Sequence, residues 1–147
     1  MTIAVDFDGT IVEHRYPEIG EEKPFAIETL KMLIKERHKL ILWTVRTGDL
    51  LDEAIEWCRQ RGVEFYATNK DYPEERPDNN PHYSRKLNTI DYFIDDRNIG
   101  GLPDWGTIYR MITRKKTWYD IMNEEMRNDS FTSTYEDTKK KKPWWKI

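Results

Sequence analysis

Asp6 and Asp8 stand on either side of Phe7 in the segment TIAVDFDGT, residues 2–10. In an extended chain residues i and i+2 point the same way, so both carboxylates would project together from the end of a strand. Two carboxylates a few ångströms apart repel each other unless a proton or a cation lies between them. The arrangement is therefore costly or functional. An Asx-rich turn closing a strand would account for the same residues without any chemistry. A calcium loop would not, because it needs Gly at its sixth position and Glu at its twelfth. Counted from Asp6, those positions hold Ile11 and Pro17.

Three further polar groups could join this pair. Thr44 begins the run Thr44-Val45-Arg46-Thr47, Lys86 closes Ser84-Arg85-Lys86, and Asp95 is followed directly by Asp96. Thr44 and Arg46 offer donors to an anion, as does Lys86. Four carboxylates gathered at one place demand a hard cation, and an all-oxygen ligand set points to magnesium. Phosphoryl transfer asks for such a combination: a nucleophile, a proton shuttle, and cations around the phosphoryl oxygens.

The elements that must position these groups follow from hydrophobic periodicity. Ile3, Ala4 and Val5 form an apolar run suited to a strand buried on both faces. Residues 12–24, punctuated by Pro17, Gly20 and Pro24, read as a loop. His14, Arg15 and Tyr16 lie within it; they could face a substrate, although an ordinary solvated loop is the favoured reading of each. Pro24 suits a first helical turn, and Ala26, Ile27, Leu30, Leu33 and Ile34 recur at helical spacing behind it. Residues 39–43 (KLILW) read as a second strand. Leu51, Ala54, Ile55 and Cys58 mark a helix over 50–61 that Gly62 stops. Cys58 sits on that apolar stripe and is expected in the core rather than as a nucleophile. Residues 63–67 and 90–94 predict two more strands, separated by an irregular, proline-rich loop over 69–85. Trp105, Ile108, Tyr109, Ile112, Tyr119, Met122 and Met126 predict one helix, or two broken at Lys115 and Lys116. Beyond residue 128 the periodicity dissolves. Strands alternating with helices imply βαβ crossovers and a mainly parallel sheet, whose ligand site lies beyond the carboxyl ends of the strands. Asp6 with Asp8, Thr44 to Thr47, and Asp95 with Asp96 each follow a strand.

Apolar residues leading into Asp-x-Asp-Gly-Thr, then Thr44, Lys86 and Asp95-Asp96 in that order, resemble the four motifs of the haloacid dehalogenase superfamily of phosphatases and phosphotransferases. The resemblance runs from Asp6 to Asp96. It implies that Asp6 is the nucleophile forming an aspartyl-phosphate and that Asp8 is the acid/base, its backbone carbonyl serving as a metal ligand. Thr44 and Lys86 would bind phosphate, with Arg46 as a further phosphate contact. Asp96 would ligate the metal directly and Asp95 would support it. The dehalogenases lack the second Asp and the transport ATPases carry Thr there, so Asp8 favours phosphomonoester hydrolysis. Neither stretch in which family members insert a cap domain is long enough to hold one. The run DDRNIGGLPDW looks like small uncharacterised bacterial members.

At 147 residues with a formal net charge of −3, the chain is expected to form one domain over 1–127 with an irregular tail over 128–147. The near balance of charge supplies no global reason to expect nucleic acid. Cys58 is the only cysteine, which excludes an intrachain disulfide and a cysteine-rich zinc site. The absence of a leader-like or membrane-length apolar run makes a cytoplasmic location the expectation. The expected architecture is α/β: a three-layer αβα Rossmann-like domain of the haloacid dehalogenase-like kind, with no cap. The expected activity is magnesium-dependent hydrolysis of phosphomonoesters on small molecules or macromolecules. A nucleic-acid-binding module or polynucleotide-end phosphatase, using the Lys/Trp-rich residues 139–147, is the alternative.

Overall fold

In the computed structural model the sheet is built around β1 (Thr2–Val5), and its apolar sequence explains why. Ile3, Ala4 and Val5 are all buried although successive side chains alternate in direction, so both faces of the strand are covered. Residues 1–76 and 87–140 are described, with side chains through 129. Along the chain follow α1 (Ala26–Lys35), β2 (Lys39–Leu42), α2 (Gly48–Gln60), β3 (Ala67–Thr68), β4 (Tyr92–Ile94), α3 (Trp105–Arg114) and α4 (Trp118–Lys140). The strand order is β3-β2-β1-β4, and every pairing is parallel. The fold is therefore α/β. Leu40, Ile41 and Leu42 of β2 are as deeply buried as β1, whereas Tyr92 and Phe93 mark β4 as a half-covered edge.

The ladder continues past the strand ends. Asp6 N donates to Ile94 O, Trp43 N to Val5 O and Asn69 N to Leu42 O, at 2.8–3.0 Å. These bonds align the first residues after β1, β2 and β3 along one sheet edge, which is where the polar clusters lie. At the opposite end Asp91 N donates to Thr2 O. The approach to β4 is held by Asp71, whose buried carboxylate accepts from Asn88 N, Thr89 N and Thr89 Oγ1.

Both interior helices bury the faces their spacing predicts: Ala26, Ile27, Leu30 and Leu33 on α1, and Ala54 and Cys58 on α2. Burial pushes the Cys58 thiol up to about 12, which keeps it protonated and inert, in line with a core role. Two boundaries move. Of the expected strand over 63–67 only Ala67 belongs to the sheet, in the short strand Ala67–Thr68, because Val63 N is taken by Cys58 O at the end of α2. Helix α2 starts at Gly48 rather than at 50.

The chain divides into two compact units, Met1–Gly106 and Thr107–Ile147, where a single unit over 1–127 was expected. The first contains the sheet, α1 and α2. In the second, Lys115 takes a positive φ of 52° and separates α3 from α4, so the apolar stripe belongs to two helices. Arg110 pairs with Glu125, and Lys116 with Glu124. Helix α4 runs on to Lys140. Residues 128–140 thus continue a helix instead of the irregular tail their lack of periodicity suggests. No Gly or Pro interrupts them, so the backbone obstacles to a helix are absent even though an apolar face is not present to signal one. Among the described residues, no helix is long and apolar enough to cross a membrane.

Candidate functional site

The turn after β1 arranges the first acidic pair. Phe7 O accepts from Thr10 N, Ile11 N and Val12 N, and Gly9 N closes back onto Val12 O. The Phe7 ring is fully buried and packs edge-on against Trp57 of α2, with centroids 5.8 Å apart. Asp6 and Asp8 are thereby directed to the other side, beyond the carboxyl end of the strand. Gly9 has φ 82°, and a Cβ added there would lie 2.3 Å from Asp96 Oδ2. A Gly9→Ala variant must therefore displace the Asp96 carboxylate while adopting a conformation that L-residues disfavour. The expected result is at least about a tenfold loss of divalent-cation affinity, readable by calorimetry.

Asp6, Asp95 and Asp96 each present a carboxylate oxygen, and these atoms all lie within 4.8 Å of one another. Thr10 is fully buried between them. Its hydroxyl lies 3.1 Å from Asp6 Oδ2 and 3.4 Å from Asp96 Oδ1, and it accepts from Asp96 N at 3.1 Å. With a single proton to give, Thr10 satisfies one carboxylate at a time. The Thr10 carbonyl accepts from Trp105 Nε1 at 3.0 Å. The electrostatic result is visible in Asp6. Burial, the neighbouring charge of Asp95 and a hydrogen bond with Asp96 push its carboxyl up from 3.8 to about 7. Three half-buried carboxylate oxygens at this spacing are a donor set for a small hard cation, so the residues fit magnesium. Because Asp6 must shed its proton before it can ligate, affinity for magnesium is expected to rise with pH up to about 7 and then level off. Titration calorimetry between pH 5 and 9 reads this directly; flat affinity would remove Asp6 from the ligand set.

Asp8 is not part of that cluster. Its carboxylate, 8% exposed, accepts from Arg46 Nε at Oδ2 and from Arg46 Nη2 at Oδ1, both at 2.7 Å. Arg46 was expected to contact phosphate. Instead it is fully buried, and Pro17 O, Glu18 O and Leu50 O accept its remaining N–H groups. Val45 and Thr47 face the cavity while Arg46, between them, turns inward.

That cavity, about 550 Å³, is lined by Asp6, Asp8, Thr44 and Asp95, with His14, Tyr16, Trp43, Asn69 and Arg97 among its other walls. Thr44 thus lines the same cavity as Asp6, Asp8 and Asp95. Its backbone is held at both ends by one side chain: Asn69 Oδ1 accepts from Thr44 N and Asn69 Nδ2 donates to Thr44 O. Thr44 Oγ1 accepts from Arg46 N, leaving its own proton free to donate. His14 and Tyr16 line the cavity, although an ordinary solvated loop was the favoured reading of each. Thr10, Asn69 and Arg97 were not foreseen. Thr10 was legible in principle, as the last residue of the first motif; Asn69 carried no signal. Lys86 lies outside the described residues, as do the side chains of 139–147 on which the nucleic-acid alternative depends.

A solved structure of a conserved protein from Bacteroides thetaiotaomicron is 71% identical to this chain, with a TM-score of 0.76. The match covers 82% of this chain and 96% of that one. The chain belongs to the family of that protein. The match conveys sequence and fold and names no activity. No profile of a known protein family matches the chain, and no curated protein does.

Proposed function

We propose that this protein is a magnesium-dependent phosphomonoesterase of the haloacid dehalogenase type, working through an aspartyl-phosphate on Asp6. The observation that carries the reading is the meeting of Asp6, Asp95 and Asp96 around Thr10, beyond the end of β1, with Thr44 lining the same cavity as Asp6 and Asp95. On this reading the sheet is the middle of a three-layer αβα domain without a cap, acting in the cytoplasm on a phosphorylated small molecule or macromolecule. An open cavity of about 550 Å³ leaves room beside the phosphoryl group for the rest of a substrate.

Asp6 and Asp96, with Asp95 in support, would hold magnesium, which would supply positive charge to the transferring group and offset the repulsion among the carboxylates. The Thr44 hydroxyl donates to a phosphoryl oxygen, and Lys86, in the position of the family's lysine, contributes a second donor. A carboxylate oxygen of Asp6 attacks phosphorus; the P–O bond to the alcohol breaks and the departing oxygen takes a proton from Asp8, which must first have gained it from solvent. In the second half, Asp8 takes a proton from water as the water oxygen attacks phosphorus, and Asp6 leaves as a carboxylate. Inorganic phosphate is released and both aspartates regain their starting states.

The test is phosphate release from an aryl phosphate with magnesium and with EDTA, joined to a single-turnover labelling experiment. Release that depends on magnesium, with a hydroxylamine-labile phosphate on the protein, is the expected outcome. Release that persists in EDTA without any such label would sink the proposal.

A further inference from the structure

We infer that Arg46 is a positioning residue: it fixes the Asp8 carboxylate and ties it to the 12–24 loop, and it does not bind phosphate. The inference rests on the phosphatase reading for what Asp8 does, but its own basis is the guanidinium geometry.

A guanidinium has five N–H donors in a rigid fork, and burying it requires an acceptor for each. Here every one is used. Nε donates to Asp8 Oδ2 and Nη2 to Asp8 Oδ1, both at 2.7 Å, which is the bidentate pairing that best matches a carboxylate. Nη2 also donates to Glu18 O at 2.9 Å, and Nη1 to Pro17 O at 3.1 Å and Leu50 O at 3.4 Å. The Phe7 and Tyr16 rings also lie beside the group, each centred 5.2 Å from its central carbon. No donor remains for a phosphoryl oxygen. One side chain therefore joins the turn after β1, the loop that lines the cavity mouth, and the first turn of α2.

Asp8 gains a fixed place from this. A lone Asp side chain at the end of a turn has rotamers to choose among, whereas two parallel hydrogen bonds from a fully buried partner select one. The Tyr16 ring has a second role: it lies beside Arg46 while the side chain, 48% exposed, borders the cavity. The loop that meets a substrate and the group that moves its proton are consequently positioned by the same cation. Lysine cannot substitute in this role, because a single ammonium supplies no fork.

The test is a kinetic cycle on the magnesium-loaded protein with an aryl phosphate, using R46K, Asp8→Ala and the pair combined. If Arg46 acts through Asp8, R46K lowers kcat about 10- to 100-fold with KM and inhibition by inorganic phosphate changed less than about threefold. In the Asp8→Ala background the same substitution then costs less than about twofold. A tenfold rise in KM or in the phosphate inhibition constant with kcat intact, or losses that multiply in the double variant, would overturn the inference. Should R46K not fold, NMR of the wild-type protein decides. The Arg46 Nε–H resonance is expected to stay in place on saturation with inorganic phosphate and to move in Asp8→Asn; a shift with phosphate is the contrary result. If the wild-type protein hydrolyses no phosphate ester, the phosphatase reading fails, and the Asp8→Asn spectrum still tests the Arg46–Asp8 lock.

Discussion

On the proposed phosphatase reading, substituting Asp6 by Asn is expected to abolish turnover, lowering kcat by about 10³-fold or more, because an amide offers neither the nucleophile nor an anionic ligand. The same substitution is expected to stabilise the metal-free protein at neutral pH and above. The sign follows from the raised carboxyl. In the unfolded chain Asp6 ionises near 3.8, whereas in the fold burial and the neighbouring Asp95 and Asp96 hold it protonated until about 7. Between those limits the folded state binds more protons than the unfolded one, so rising pH erodes stability. Asn removes that loss. The melting temperature of Asp6→Asn minus that of the wild type, measured in EDTA, should therefore grow from about pH 4 to about pH 7 and stay constant above it. Loss of turnover with a gain in stability is the behaviour of a group placed for its chemistry at the expense of the fold. A variant that lost both would reassign Asp6 to a structural role.

Arg46→Met is the second large effect, this time on stability. It leaves the Asp8 carboxylate, 8% exposed, without its partner. Removing one member of a buried ion pair typically costs about 3–5 kcal/mol, most of it from the charge left uncompensated. Pro17 O, Glu18 O and Leu50 O also lose their donor. Urea denaturation of wild type, Arg46→Met and the double variant Arg46→Met/Asp8→Leu separates these contributions. The double variant should recover a substantial part of the loss, since the stranded charge is gone while the backbone acceptors remain unmet. A single variant within about 1 kcal/mol of the wild type would mean that Asp8 finds water or another donor when Arg46 is removed.

Much of the site could be read from the chain because its parts are local. Asp6, Asp8, Gly9 and Thr10 are contiguous, and their direction follows from the alternation of an extended chain ending in a turn. Asp95 and Asp96 follow β4 as Asp6 follows β1, so a parallel sheet with these strands as neighbours must bring them together. The part of α4 beyond residue 128 could not be read in the same way. It lacks an apolar stripe, and periodicity detects a helix only through the face it buries.

Sequence by itself determined the alternation of strands and helices and the sheet edge near which Asp6, Thr44, Asp95 and Asp96 gather. Each of these depends on patterns of a few residues, where the backbone's two periods leave little choice. Only the tertiary structure decided between roles that depend on which way a side chain turns. Arg46 sits between two residues that face the cavity and was free, as a sequence, to join them. Its burial against Asp8, 38 residues away, is set by packing beside Phe7 and Tyr16 and by carbonyls from two other segments. Asn69 is the same kind of case, a loop residue whose amide holds Thr44 from 25 positions away. Contacts between distant segments are many-body outcomes of the fold, and no local spacing encodes them.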